Sequence, residues 1–166
     1  ATSFRNPGKD FLRGFNALLR SRYRLTPGDL RRQRVRAQPD SMLTLSLDYR
    51  PPFDWESLLA FFAARAMPHV EWVEQGVYRR CVRGSSAVAD GGWIEVRHDA
   101  ERSRVRLTIS DSLRADLVPL MAAVRRQFDL DCDPQRVADA LGELASAWPG
   151  LRLPGAIDGF EQAVRA

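Results

Sequence analysis

The 166 residues, 45% hydrophobic and 28% charged, suffice for one domain of ordinary size with an appendage and for a properly buried core. No apolar run is long enough to span a bilayer, the longest being Leu58 to Ala64, and the first ten residues alternate polar and charged types unlike a signal peptide. The net charge of +4 is unevenly spread: residues 1–41 hold ten basic side chains against three aspartates, a net of +7, so the totals of 25 basic and 21 acidic leave −3 for residues 42–166. A short basic segment of that kind suits a polyanion such as nucleic acid, or else is a solvated linker.

Along the chain, Asn6-Pro7-Gly8 is a turn signal, and Asp10 can cap a helix running to about Tyr23. Phe11, Phe15, Leu18 and Leu19 share one face of it, with Arg13, Asn16 and Arg20 on another. Thr26-Pro27 opens a second short helix over 28–32, and residues 33–41 have linker composition. From Met42 the period changes. Leu43, Leu45 and Leu47 alternate with Thr44, Ser46 and Asp48 as in a half-buried strand, which Pro51-Pro52 stops. Asp54 then caps a helix expected to reach Ala66, and strands are predicted at 70–73, 77–82 and 93–98. The turn 99–102 joins the last of these to Val105, Leu107 and Ile109, alternating with Arg104, Arg106 and Thr108, as an antiparallel hairpin.

Leu113, Leu117, Leu120, Met121, Val124 and Phe128 follow a 3.6-residue period, so a helix covers them, and Pro119 requires that it start near Asp116. Asp133-Pro134 reads as a cap and first helical residue, opening a helix to about Leu144. Residues 156–166 read as a helix with Ile157, Phe160 and Val164 on one side and no stop signal, as in a chain cut in mid-element. Strands in a mostly antiparallel sheet with helices on one face make the fold class α+β.

No catalytic constellation emerges. Cys81 and Cys132 lack metal-ligand spacing, which fits a reduced cytoplasmic protein without a disulfide framework. His69 and His98 are isolated and read as surface or turn histidines. Asp129, Asp131 and Asp133 alternate but lack the glycine and glutamate of a calcium loop, so they read as a helix end and the next cap. With no P-loop, dinucleotide fingerprint or nucleophile elbow, no cofactor, metal or catalytic residue is assigned.

From Tyr49 onward the sequence resembles the N-terminal domain of the DNA-3-methyladenine glycosylase II family. The resemblance is carried by Tyr49-Arg-Pro-Pro-Phe-Asp-Trp55, Phe61-Phe-Ala-Ala-Arg-Ala66, Phe128-Asp-Leu-Asp-Cys-Asp-Pro134, and most strongly Pro149-Gly-Leu-Arg-Leu-Pro-Gly155 running into Asp158-Gly-Phe-Glu-Gln-Ala-Val-Arg165. It implies a sheet-and-helix domain like half of the TATA-binding protein over residues 42–155, itself not catalytic. Residues 156–166 would then begin a helix-hairpin-helix domain that holds the catalytic aspartate further on. It also implies that the first helix walls the pocket for a flipped alkylated base, with Phe61 and Arg65 in that wall. The plain alternative is that Phe61 is core.

Residues 11–32 are similar to the end of an AraC-type helix-turn-helix region, Phe11-Leu-Arg-Gly-Phe-Asn-Ala-Leu-Leu-Arg20 resembling a recognition helix and Tyr23-Arg-Leu-Thr-Pro-Gly-Asp-Leu-Arg31 the closing turn and helix, which makes residues 1–33 a partial remnant of such a region. Residues 34–41 would link the two parts. That resemblance implies double-stranded DNA as partner, contacted by Arg13, Asn16, Arg20, Arg22, Arg31 and Arg32, in a transcription regulator fused to a base-excision repair glycosylase. A regulator alone, or a structural interaction module, stays open beside it, as does the oligomeric state.

Overall fold

The alternation at the start of the acidic part becomes β1 (Leu43–Asp48), its three leucines buried and Thr44 and Ser46 exposed. In the computed structural model, which describes residues 42–84, 91–157 and 159–165, four further strands join it: β2 (Glu71–Glu74), β3 (Val77–Val82), β4 (Gly92–Asp99) and β5 (Arg104–Ile109). Every neighbouring pair is antiparallel, and the order is β1-β5-β4-β3-β2. β4 and β5 form the expected hairpin, turning through Ala100–Arg102 with Ser103 left-handed at φ 48°.

Register sorts the residues between the two faces. Leu43 and Ile94 both lie opposite Ile109, Leu45 and Val96 opposite Leu107, and Tyr78 opposite Val96, a continuous buried apolar layer. On the reverse face Thr44 meets Thr108, their hydroxyls 3.0 Å apart, and Arg79 reaches Glu95 at 2.7 Å. A sheet with one wet face shows this alternation.

Two helices contribute buried stripes to the core: α1 (Trp55–Ala64) buries Trp55, Leu58, Leu59 and Phe62, and α2 (Leu117–Gln127) buries Leu117, Leu120, Met121 and Val124. The Asp54 carboxylate accepts from the Ser57 amide at 3.0 Å, the expected cap, although α1 ends at Ala64, two residues early. Pro119 is the third residue of α2, where its missing N–H costs nothing. Phe128 just beyond α2 joins Trp55, Phe62 and Tyr78 in an aromatic cluster, with ring centroids 5.2–5.4 Å apart.

Two short helices follow, α3 (Pro134–Leu141) and α4 (Gly159–Arg165). Pro134 opens α3 as expected, but the helix turns at Gly142, φ 58°, into a 3-10 stretch to Ala147. Asp133 makes no capping bond. Its carboxylate accepts from Arg50 Nη1 at 2.8 Å, because a cation 83 residues away outcompetes the local amides. Asp129 is left-handed at φ 49° and accepts from the Leu153 amide, so the alternating aspartates serve tertiary contacts.

Candidate functional site

Helical geometry separates Phe61 from Phe62. Phe62 falls in the buried stripe with Leu58 and Leu59, while Phe61, 100° further round, is only half-buried. The two rings meet edge to face with centroids 5.8 Å apart. Arg65, one turn on and exposed, lays its guanidinium over the Phe61 ring with Cζ 4.0 Å from the centroid. Ala60, Ala63 and Ala64 are exposed on the same helix. The structure thus places Phe61 and Arg65, the two residues that the family resemblance implies for the pocket wall, side by side one helical turn apart. The six expected DNA-contacting residues, Arg13, Asn16, Arg20, Arg22, Arg31 and Arg32, lie outside the described residues.

His98 departs from the surface role expected for it, whereas His69 is exposed in a turn with φ 65°. On β4, His98 is half-buried between Phe53 and Trp55, centroids 5.6 and 5.4 Å away, and its Nε2 is 2.6 Å from the Tyr49 hydroxyl. Burial lowers its pKa, opposed by the charges of Asp99 and Glu56. Arg152, 3% exposed, covers Phe53 from a Cζ 5.1 Å off its centroid and donates Nη2 to the carbonyls of Arg50 and Pro52.

A second polar group was not anticipated at all. On the core face of β3, Tyr78 donates to Glu71 Oε2 at 2.6 Å and accepts from Gln127 Nε2 at 2.6 Å. Arg80, 2% exposed, forms two bonds to the Glu161 carboxylate, Nη1 reaching Oε2 at 2.9 Å and Nη2 reaching Oε1. Burial works against the Arg80 charge, but the hydrogen bonds and charge of Glu161 outweigh it and raise the pKa. Burial also raises the Tyr78 pKa, and Glu71 adds to the effect. An arginine in the inward phase of a strand, between Tyr78 and Val82, was the only sequence signal for this cluster.

The exposed large apolar residues Val137, Leu141, Leu144 and Trp148 line a groove of about 330 Å³ beside Pro51 and Pro52. Among the described residues, no three His, Cys, Asp or Glu side chains group in a way that could hold a metal ion. No helix there is long and apolar enough to cross a membrane.

Residues 44–158 match the family model described as the AlkA N-terminal domain. The chain is 43% identical over 122 residues to DNA-3-methyladenine glycosylase 2 of Escherichia coli strain K12, covering 73% of this chain and 42% of that protein. It is 33% identical over 171 residues to the probable bifunctional transcriptional activator/DNA repair enzyme AlkA of Mycobacterium tuberculosis, covering 96% of this chain and 33% of that one. It therefore spans less than half the length of the curated relatives it matches. Among solved structures, a 3-methyladenine DNA-glycosylase from Archaeoglobus fulgidus aligns with a TM-score of 0.52 at 16% identity, over 70% of this chain and 40% of that one. At that identity the likeness concerns the fold.

Proposed function

The chain belongs to the AlkA N-terminal domain family, and from that premise we propose that residues 42–155 are the accessory domain of a base-excision repair glycosylase acting on alkylated double-stranded DNA. In this reading residues 156–166 begin the helix-hairpin-helix domain, and N-glycosidic hydrolysis belongs to that domain. Residues 1–33 are the remnant of an AraC-type regulator joined by the linker 34–41, in a bacterial cytoplasmic protein that needs no cofactor.

The observation that carries the reading is the Phe61–Arg65 stack. A half-buried ring whose face already holds a planar delocalised cation suits another one. An alkylated purine is flat, electron-poor and often cationic, and once flipped from the duplex it needs an aromatic surface. Two carboxylates at or near the core are committed elsewhere, Glu71 to Tyr78 and Glu161 to Arg80. That commitment fits a domain that shapes a pocket and leaves bond cleavage to another.

The test is release of 3-methyladenine from alkylated DNA by a protein in which this domain is followed by its glycosylase part. Phe61→Leu should lower kcat/KM by tenfold or more while leaving the melting temperature nearly unchanged, since Phe61 is not core. Unaltered kinetics with intact folding would remove Phe61 from the pocket and the accessory-wall reading with it.

The regulator reading has its own support, since the mycobacterial relative is named as a transcriptional activator and the match to it extends across 96% of this chain. Arg13, Asn16, Arg20, Arg22, Arg31 and Arg32 are the residues proposed to meet DNA.

A further inference from the structure

Residues 149–161 carry the most specific part of the family resemblance, yet the pocket wall on α1 gives them no role. The fold fastens this stretch at successive points. Gly150, at φ +81°, accepts from the Asp54 amide at 2.9 Å, and a Cβ there would meet Phe53 N at 2.7 Å. Arg152 is buried against the carbonyls of Arg50 and Pro52. The Leu153 amide donates to Asp129 Oδ2 at 3.2 Å, and the Gly155 amide to the Gln127 carbonyl at 2.9 Å. A Cβ on Gly155 would meet the Arg126 carbonyl oxygen at 2.6 Å. Ala156 is buried, and Glu161 then reaches Arg80.

Apolar packing is not what holds α4 at Phe160, which is 79% exposed, although the sequence placed it on the helix's packing side. The grip is the two-pronged bond from a buried guanidinium on β3. A fork-to-carboxylate pair fixes angle as well as distance, which a point charge or a greasy contact does not.

We propose that residues 149–157 form a strap whose purpose is to present Glu161 of α4 to Arg80, making Arg80 the positioning residue that holds α4 at a fixed attitude to the sheet. Tyr78 and Gln127, bonded to each other beside Arg80, back the socket from the sheet and from α2.

Hydrogen exchange of the intact 166-residue chain tests this, with the amides of β3 and β5 as internal controls. Glu161→Gln keeps the shape but not the charge, and Arg80→Lys keeps the charge but not the fork. Both should speed exchange in 159–165 by at least tenfold while leaving β3 and β5 unchanged. If Arg80→Lys preserves α4 protection, simple charge neutralisation holds the helix and the positioning role is wrong. If neither substitution affects α4, no clasp exists, and an equal loss in sheet and helix would make the pair an ordinary core element. The readout involves neither DNA nor base, so it stands or falls apart from the Phe61 reading.

Discussion

The Tyr49 hydroxyl lies 2.6 Å from Nε2 of His98, 49 residues away, across the edge of an aromatic cluster. The contact joins the loop after β1 to the middle of the sheet. It also puts a titrating ring where water is partly excluded, and that gives the domain a pH dependence in a window that carboxylates do not share.

Because burial lowers the His98 pKa, the unfolded chain takes up a proton at a higher pH than the folded one. The stability contributed by neutral His98 is complete above the ordinary histidine value of about 6.5 and is lost as pH falls through the lower folded value. Urea unfolding at pH 7.5 and pH 5 should show the native protein losing stability on acidification, and His98→Gln losing distinctly less. Glu95 and Asp99, both depressed by arginine partners, add their own loss only nearer pH 4. Equal losses in both proteins between pH 7.5 and 5 would show that His98 does not govern that window.

Incubated with alkylated DNA, the purified chain should release neither 3-methyladenine nor 7-methylguanine. Base release that co-purifies with this chain and scales with its concentration would place catalysis inside residues 1–166 and overturn the accessory role.

Residues 1–41, with their net +7, should bind duplex DNA weakly and without sequence preference. The affinity should fall steeply from 50 to 200 mM salt, as counterion release requires, and deleting 1–41 should abolish it. Tight binding to a single duplex at physiological salt would mean that Arg13, Asn16 and Arg20 read base edges.

Two glycines with nearly the same backbone angle separate strain from crowding. Gly76→Ala, at φ +73° with open space around it, should cost about 1 kcal/mol of strain alone. At Gly150, φ +81°, the new methyl also meets the backbone of Pro52, Phe53 and Asp54 within 3 Å, so Gly150→Ala should cost on the order of 3 kcal/mol or more. Denaturant midpoints for the two variants decide it, and equal costs would mean that residues 52–54 yield freely.

Much of the fold was legible because its signals are local. The leucine alternation of β1, the cap at Asp54 and the prolines at 119 and 134 each constrain the backbone within a few residues of themselves. Phe61 and Arg65 were singled out by the family resemblance, and the helix brings them into contact because they lie one turn apart. What escaped depends on partners distant in the chain. Arg80 looks like a surface residue until Glu161 is supplied, Asp133 like a cap until Arg50 arrives, and His98 like a solvent-facing ring until Tyr49 and Trp55 enclose it. Composition and period carry no information about such pairings.

The strand order has a consequence for how the chain is made. Among the described strands β1 leaves the ribosome first, yet its partner there is β5, Leu43 opposite Ile109, while β2 to β5 pair with their neighbours in turn. At roughly 5–20 residues per second, β1 waits about 3 to 13 seconds with its alternating leucines unsheltered. A nascent chain stalled before residue 104 would hold a three-strand meander and a strand with nowhere to go. Such an edge recruits other chains, so slow codons or arrest between β4 and β5 should be the step at which this domain most readily aggregates during synthesis.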